Sequence, residues 1–264
     1  MKTIIFIHGM FQNPKSWEKW IAYFNNKGYK CIAPAWPYHE GEPAGLRKDP
    51  ESELGNLRLQ TIIDEFEKVA SRTEDDIVIG HSVGGLIAQI LINKGLAKAG
   101  VCINSVAPNR MLSFDWDFFK NSMTIANPFK GDEPIYQTPE SFYEAFTSPM
   151  SEVDSKKAFE AFATHDSRNV LRDCMGEAGE VDLDKPHAPL LFIGGEEDKI
   201  IPADLNEKNA NAYTDEGSIT HFKSFPGRGH FICGQEGWEE IANYVHEWLR
   251  HELVANHKEL EYAL

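Results

Sequence analysis

Positive charge is scarce in this sequence. Its 26 Lys and Arg stand against 41 Asp and Glu, a formal net charge of −15 at pH 7. Phosphate backbones and anionic lipid surfaces are both recognised by clustered Lys and Arg. The balance therefore excludes nucleic acid and a membrane surface as expected partners. Long apolar runs are missing as well, and none approaches the roughly 18 residues of a membrane span. The start, Met1-Lys2-Thr3 followed by Ile4-Ile5-Phe6-Ile7-His8-Gly9, places a charge ahead of an apolar run. That run is far shorter than the roughly 7–15 residues of a signal-peptide core, so it reads as a strand and the protein as cytoplasmic. Cysteine is limited to Cys31, Cys102, Cys174 and Cys233, with no CxxC pair, which reads as buried free thiols. No HExxH or similar ligand spacing occurs, so neither a metal nor another cofactor is expected.

What the chain does have is an ordinary globular composition, 42% hydrophobic and 25% charged over 264 residues. A chain of that length hides roughly three quarters of its unfolded surface. Short Ile/Val-rich runs alternate with helical patterns. Strands are expected at 2–7, 29–33, 76–79 and 101–106, with helices at 14–27, 54–72 and 84–94. Continuous apolar strands separated by helices imply a parallel sheet covered on both faces. From residue 107 to 185 no β pattern is evident. Aromatics crowd this stretch (Phe114, Trp116, Phe118, Phe119, Phe129, Tyr136, Phe142, Tyr143, Phe146), and helices are expected near 139–147 and 152–164. Alternation resumes with strands at 189–193 and 220–225 and helices near 203–212 and 236–251. The expected fold is α/β: a doubly wound, mainly parallel sheet of about six strands, formed by residues 1–106 and 186–252. A helical cap at 107–185 interrupts it, and 253–264 form a frayed tail.

The third strand runs into Gly80-His81-Ser82-Val83-Gly84-Gly85, a G-x-S-x-G motif. Alone the motif is weak, but here it joins a strand to a helix, the context its chemistry demands. The serine sits on a tight turn where larger residues two before and two after would clash. A nucleophilic serine needs a base, and the base an orienting acid. Asp198 follows the strand at 189–193 and takes the acid slot, with Glu196 and Glu197 as local competitors. His230 lies in the Gly-rich loop Pro226-Gly227-Arg228-Gly229-His230-Phe231 after the last strand, and takes the slot of the base.

These stretches, together with Phe6-Ile7-His8-Gly9-Met10, resemble the α/β-hydrolase fold superfamily, of the cap-bearing serine esterase type. The resemblance spans residues 6 to 231. It implies a Ser82–His230–Asp198 triad and an oxyanion hole made by two backbone N–H groups, those of Met10 and Val83, with Phe11 as the alternative to Met10. His8 and His81 read as structural. Relatives usually carry two strands before the His-Gly strand, and none are expected here. Many also carry Asp-x-Arg-Gly-x-Gly after the second strand, where this chain has Ala35-Trp36-Pro37-Tyr38-His39-Glu40-Gly41.

A serine at the elbow disfavours dehalogenase and epoxide hydrolase chemistry, which resemblance associates with Asp. The implied function is cleavage of small to medium, mainly apolar carboxylic esters through an acyl-enzyme. Thioester, lactone or amide hydrolysis uses the same parts. Carbon–carbon hydrolysis or a lyase reaction, and a non-catalytic binding role, are the remaining alternatives. Phe11, Trp36, Phe119, Phe142 and Phe146 are the candidate substrate contacts.

Overall fold

A computed structural model describes residues 2–72, 76–112 and 127–262. The chain runs through β1 (Thr3–Ile7), α1 (Glu18–Asn26), β2 (Lys30–Ile32), α2 (Pro43–Lys48), α3 (Leu59–Ala70), β3 (Ile77–His81), α4 (Val83–Asn93) and β4 (Ala99–Ile103). After a long interruption carrying α5 (Glu152–Phe162) and α6 (Arg168–Cys174) come β5 (Leu190–Gly195), α7 (Ala203–Asn211), β6 (Thr220–Phe225) and α8 (Trp238–Tyr262).

The six strands form one sheet in the order β2-β1-β3-β4-β5-β6, every pairing parallel. Side chains alternate faces along each strand, and both faces are apolar. Ile5, Ile7, Val78, Cys102, Leu190 and Phe192 pack against α3 and α4. Ile4, Phe6, Ile77, Ile79, Val101, Ile103, Leu191 and Ile193 pack against Trp20 and Phe24 of α1 and Trp238, Ile241, Val245 and Leu249 of α8. Each such side chain removed from water contributes roughly 1.5–3 kcal/mol, which is why the strands read as unbroken Ile/Val runs. Helix α4 is buried from Val83 to Ile92 because it lies between the sheet and α3. The chain moves from β1 outward to β2, then crosses back to β3. That reversal opens a crevice at the carboxyl ends of β1 and β3, where ligands bind in open α/β sheets.

Several helices differ in detail from the sequence expectation. The pattern at 14–27 splits into a 3₁₀ turn, Pro14–Trp17, and α1; the Asn13 side chain caps the turn by accepting the Lys15 N–H at 3.1 Å. The pattern at 54–72 likewise divides into Leu54–Asn56 and α3. Helices α2 and α6 were not expected; both are too short for a periodic apolar stripe to stand out. Helix α8 continues to Tyr262, past the point near Val254 where the sequence suggested fraying.

Between β4 and β5 the described residues are helix and loop, with an isolated bridge between Ile135 and Asp166. The expected helix at 139–147 begins as Pro139–Ser141 and passes into a π-helical stretch, Phe142–Phe146. Phe114, Trp116, Phe118 and Phe119 lie outside the described residues. The underside of this cap, Phe142, Phe146, Ala158 and Phe159, packs with Phe231 of the loop after β6 and against Phe11 and Ile200. The approach is close. A Cβ on Gly229 would lie 1.6 Å from the Ser148 carbonyl oxygen, and the Phe231 N–H donates to the Phe146 carbonyl at 2.9 Å. Arg47 of α2 ties the end of α5 down, donating to the Phe159 and Ala163 carbonyls at 3.1 and 2.6 Å.

Candidate active site

Ser82 sits between the last residue of β3 and the first of α4, at φ 56° and ψ −121°. A left-handed serine costs on the order of 1–3 kcal/mol and persists only where its surroundings hold it. Here the Ser82 N–H donates to the Ile103 carbonyl at 3.0 Å, and its carbonyl accepts from Gly85 and Val106 at 2.9 and 3.1 Å. The flanking glycines are required by space. A Cβ on Gly80 would lie 1.9 Å from the Gly84 carbonyl oxygen, and one on Gly84 would lie 2.2 Å from that of Ile7.

Asp198 and His230 come together from the loops after β5 and β6. Their side chains, about 0% and 1% exposed, meet with His230 Nδ1 at 2.7 Å from Asp198 Oδ2. Asp198 Oδ1 accepts the Ile200 and Ile201 N–H groups at 2.7 and 2.9 Å, so each carboxylate oxygen is engaged. Glu196 instead accepts the Ser224 hydroxyl at the surface, away from the imidazole.

The loop after β1 lies against the serine: a Cβ on Gly9 would be 2.7 Å from Ser82 Cβ. The Phe11 N–H is donated to Asp166 Oδ2 at 2.9 Å. Among the described residues the Met10 and Val83 N–H groups have no internal acceptor, and both residues border the cavity beside Ser82.

That cavity, about 70 Å³, is lined by Met10, Phe11, Ser82, Val83, Val106, Phe146, Leu171, Ile200, Ile201 and His230. Apart from Ser82 and His230 its described wall is apolar. The Ser82 hydroxyl makes no hydrogen bond among the described residues and faces the same space as the His230 ring. Of the aromatic residues proposed from sequence, Phe11 and Phe146 line the cavity, and the Phe146 ring stands edge-on to His230 at 4.8 Å. Phe142 is fully buried behind Phe146, with rings stacked at 4.9 Å. Trp36 is also fully buried, stacked on His8 at 4.5 Å, and does not border the cavity. Phe119 lies outside the described residues.

The sequence matches the alpha/beta hydrolase family over residues 4–243. The chain belongs to that family. Among solved structures it is similar to the monoacylglycerol lipase of Paleococcus ferrophilus, at 18% identity with TM-score 0.66, covering 94% of this chain and 93% of that one. It is also similar to a soluble variant of the Saccharomyces cerevisiae monoglyceride lipase, at 14% identity and TM-score 0.70 over 95% and 88% of the two chains. A third similar structure is an Arabidopsis methylesterase, at 11% identity and TM-score 0.67 over 95% and 100%. At these identities the likeness is one of fold. No curated protein matches the sequence.

Around the site of this hydrolase, neutral histidines hold the frame. His81 is buried; burial first, and then the nearby His230, keep its pKa well below the ordinary value. Its Nε2 donates to the His230 carbonyl at 2.8 Å. His8 is likewise held low by burial and then by His39; its Nδ1 faces the Gly9 carbonyl at 3.0 Å and its Nε2 accepts the Trp36 N–H at 3.3 Å. The four cysteines are free, and burial pushes the Cys31 thiol up to about 12. Among the described residues no group of His, Cys, Asp and Glu is arranged to hold a metal, and no helix is long and apolar enough to cross a membrane.

Sequence reasoning missed Asn104 and Asp166. Asn104 carries a faint signal, a polar residue directly after an apolar strand. Asp166 carries none, since its partners Phe11 and His39 are remote in sequence.

Proposed function

We propose that this hydrolase cleaves carboxylic esters with a small apolar acyl or alcohol group, through an acyl-enzyme formed on Ser82. The observation that carries the reading is the buried Asp198–His230 pair facing, across one apolar cavity, a serine held in a strained turn. Asp198 holds Nδ1 of the imidazole, which leaves Nε2 free to take the Ser82 proton as Oγ attacks the carbonyl. The Met10 and Val83 N–H groups receive the charge that develops on the carbonyl oxygen; losing one such donor typically costs about 10²–10³ in rate. His230 then returns the proton to the leaving alcohol, and water activated by the same ring releases the acid. The segment at 107–185 acts as the cap that closes the pocket. An apolar wall with no described cation suits an uncharged substrate, and a cavity of about 70 Å³ suits a short group. The lipase and methylesterase names of the similar structures support ester chemistry.

The test is a fluorophosphonate probe followed by a panel of p-nitrophenyl esters of increasing acyl length. Wild type should be labelled on Ser82 and favour short chains, while Ser82→Ala should fall to the residual rate of binding and oxyanion stabilisation alone. Undiminished turnover in Ser82→Ala would sink the assignment. Preference for a thioester, lactone or amide over every ester of matched size would move the substrate class but keep the triad.

A further inference from the structure

The cap reaches the loop after β1 with a buried carboxylate and a neighbouring backbone N–H. Asp166 is fully buried. Its Oδ2 accepts the Phe11 N–H at 2.9 Å, and its Oδ1 accepts the Ser167 N–H at 2.7 Å. Two residues earlier, the Thr164 N–H donates to the Phe11 carbonyl at 2.9 Å. Both backbone groups of Phe11 are therefore held by the cap. Phe11 has φ 63°, a left-handed conformation that a bulky residue adopts only under constraint.

Asp166 has its own support. His39 Nε2 stands 3.4 Å from the same Oδ2, while His39 Nδ1 faces the Pro37 carbonyl at 3.0 Å. Burial disfavours the charged imidazole, but the Asp166 carboxylate and the Pro37 carbonyl facing its two nitrogens favour it. The Asn13 side chain donates to the His39 and Gly41 carbonyls at 3.3 and 2.8 Å, fixing the segment on which His39 rides.

We propose that Asp166 is a positioning residue for the oxyanion hole: backed by His39, it locks Phe11 in the left-handed turn that presents the adjacent Met10 N–H above Ser82. The inference rests on the reading of Ser82 as the nucleophile. It makes the cap a contributor to reaction geometry as well as a wall of the pocket. A donor displaced by about 1 Å costs on the order of 100-fold in rate, so the clamp acts on kcat and leaves KM nearly alone.

The experiment compares Asp166→Ala, Asp166→Asn and Arg58→Ala with wild type, using p-nitrophenyl acetate. Asp166→Ala should lower kcat about 100-fold with KM within about twofold. Asp166→Asn keeps an oxygen facing Phe11 but a weaker, neutral acceptor, and should fall between the two. Arg58→Ala removes the two hydrogen bonds, 2.8 and 2.6 Å, that hold Asp173 of α6, away from Phe11; it should lower the unfolding midpoint yet keep kcat within about twofold. A folded Asp166→Ala with unchanged kcat overturns the proposal, as does an equal kcat loss in Arg58→Ala. If Asp166→Ala does not fold, Asp166→Asn decides: lower kcat at constant KM supports the clamp, and wild-type kcat overturns it. If wild type cleaves no ester, the ester reading falls alone and the rate of Ser82 labelling by a fluorophosphonate replaces kcat. That rate must then slow in the same order, and a wild type that is neither active nor labelled overturns both readings.

Discussion

The Asn104 side-chain amide donates to the Gly229 carbonyl at 3.0 Å, one residue ahead of His230. Its Oδ1 accepts the Gly195 N–H at 2.8 Å, at the end of the strand that leads to Asp198. A single fully buried side chain thus joins the two loops whose ends must meet. At φ 43° the position also favours Asn over most residues. Asn104→Ala should strand a buried N–H and a carbonyl, each at about 1–3 kcal/mol. We expect a loss of about 3 kcal/mol in urea unfolding together with lower turnover. A loss below about 1 kcal/mol would show that the bridge is dispensable.

Two neighbouring aromatic residues should separate wall from core. Phe146 borders the cavity, so Phe146→Ala should raise kcat/KM for hexanoyl over acetyl esters by roughly 1–3 kcal/mol. Phe142 lies behind it, in contact with Phe146, Phe159 and Phe231. Phe142→Ala should cost about 3–5 kcal/mol of stability and leave the ester ranking as it was. Re-ranking by Phe142→Ala alone would reverse these assignments.

Stability should fall on both sides of neutral pH, for different histidines. His8 and His81 are buried neutral, with folded pKa values below the ordinary 6.5. Their contribution is present above 6.5 and is lost as pH drops towards those depressed values. His39 has the opposite sign. Burial opposes its charge, but the Asp166 carboxylate, the Pro37 carbonyl and Glu40 together raise its pKa above 6.5. Its contribution is complete below 6.5 and lost as pH rises through the raised value. Urea midpoints measured from pH 5 to 9 should show both limbs, and His39→Gln should flatten the alkaline one. An unchanged alkaline limb in that variant would exclude the His39–Asp166 pair as its source.

Two glycines should respond in opposite ways to the same added methyl group. Gly84→Ala forces a Cβ to 2.2 Å from the Ile7 carbonyl oxygen, and neither backbone segment can retreat without moving Ser82. We expect at least about 3 kcal/mol of destabilisation, or roughly 6–12 °C in Tm. Gly45, exposed in α2, has nothing within 4 Å of its Cβ direction, and Gly45→Ala should be neutral or stabilising by up to about 1 kcal/mol. Equal Tm values for the two variants would refute the packing argument.

The six-stranded parallel sheet was legible because Ile4–Ile7, Ile77–Ile79 and Leu190–Ile193 read as strands buried on both faces. The motif around Ser82 and the order of Asp198 and His230 were legible because a strand–turn–helix fixes where each side chain emerges. What failed to show was whatever depends on contacts between distant segments. Nothing marks Asp166 as a partner of Phe11, and nothing separates Trp36 and Phe142 in the core from Phe146 at the cavity, since all five are aromatic or acidic residues with ordinary neighbours. Helices α2 and α6 escaped notice because a helix of six or seven residues shows less than two turns of periodicity.

The contact of Gly229 with Ser148 has a consequence for how this enzyme diversifies. The backbone of the loop that carries His230 is moulded against the cap, with no room for even a methyl group between them. A cap transplanted from a relative would meet a loop shaped for another surface and would shift the His230 imidazole it was meant only to cover. The natural unit of exchange is therefore larger than the insertion itself: in a functional chimaera the residues from Gly227 to Cys233 travel with the cap.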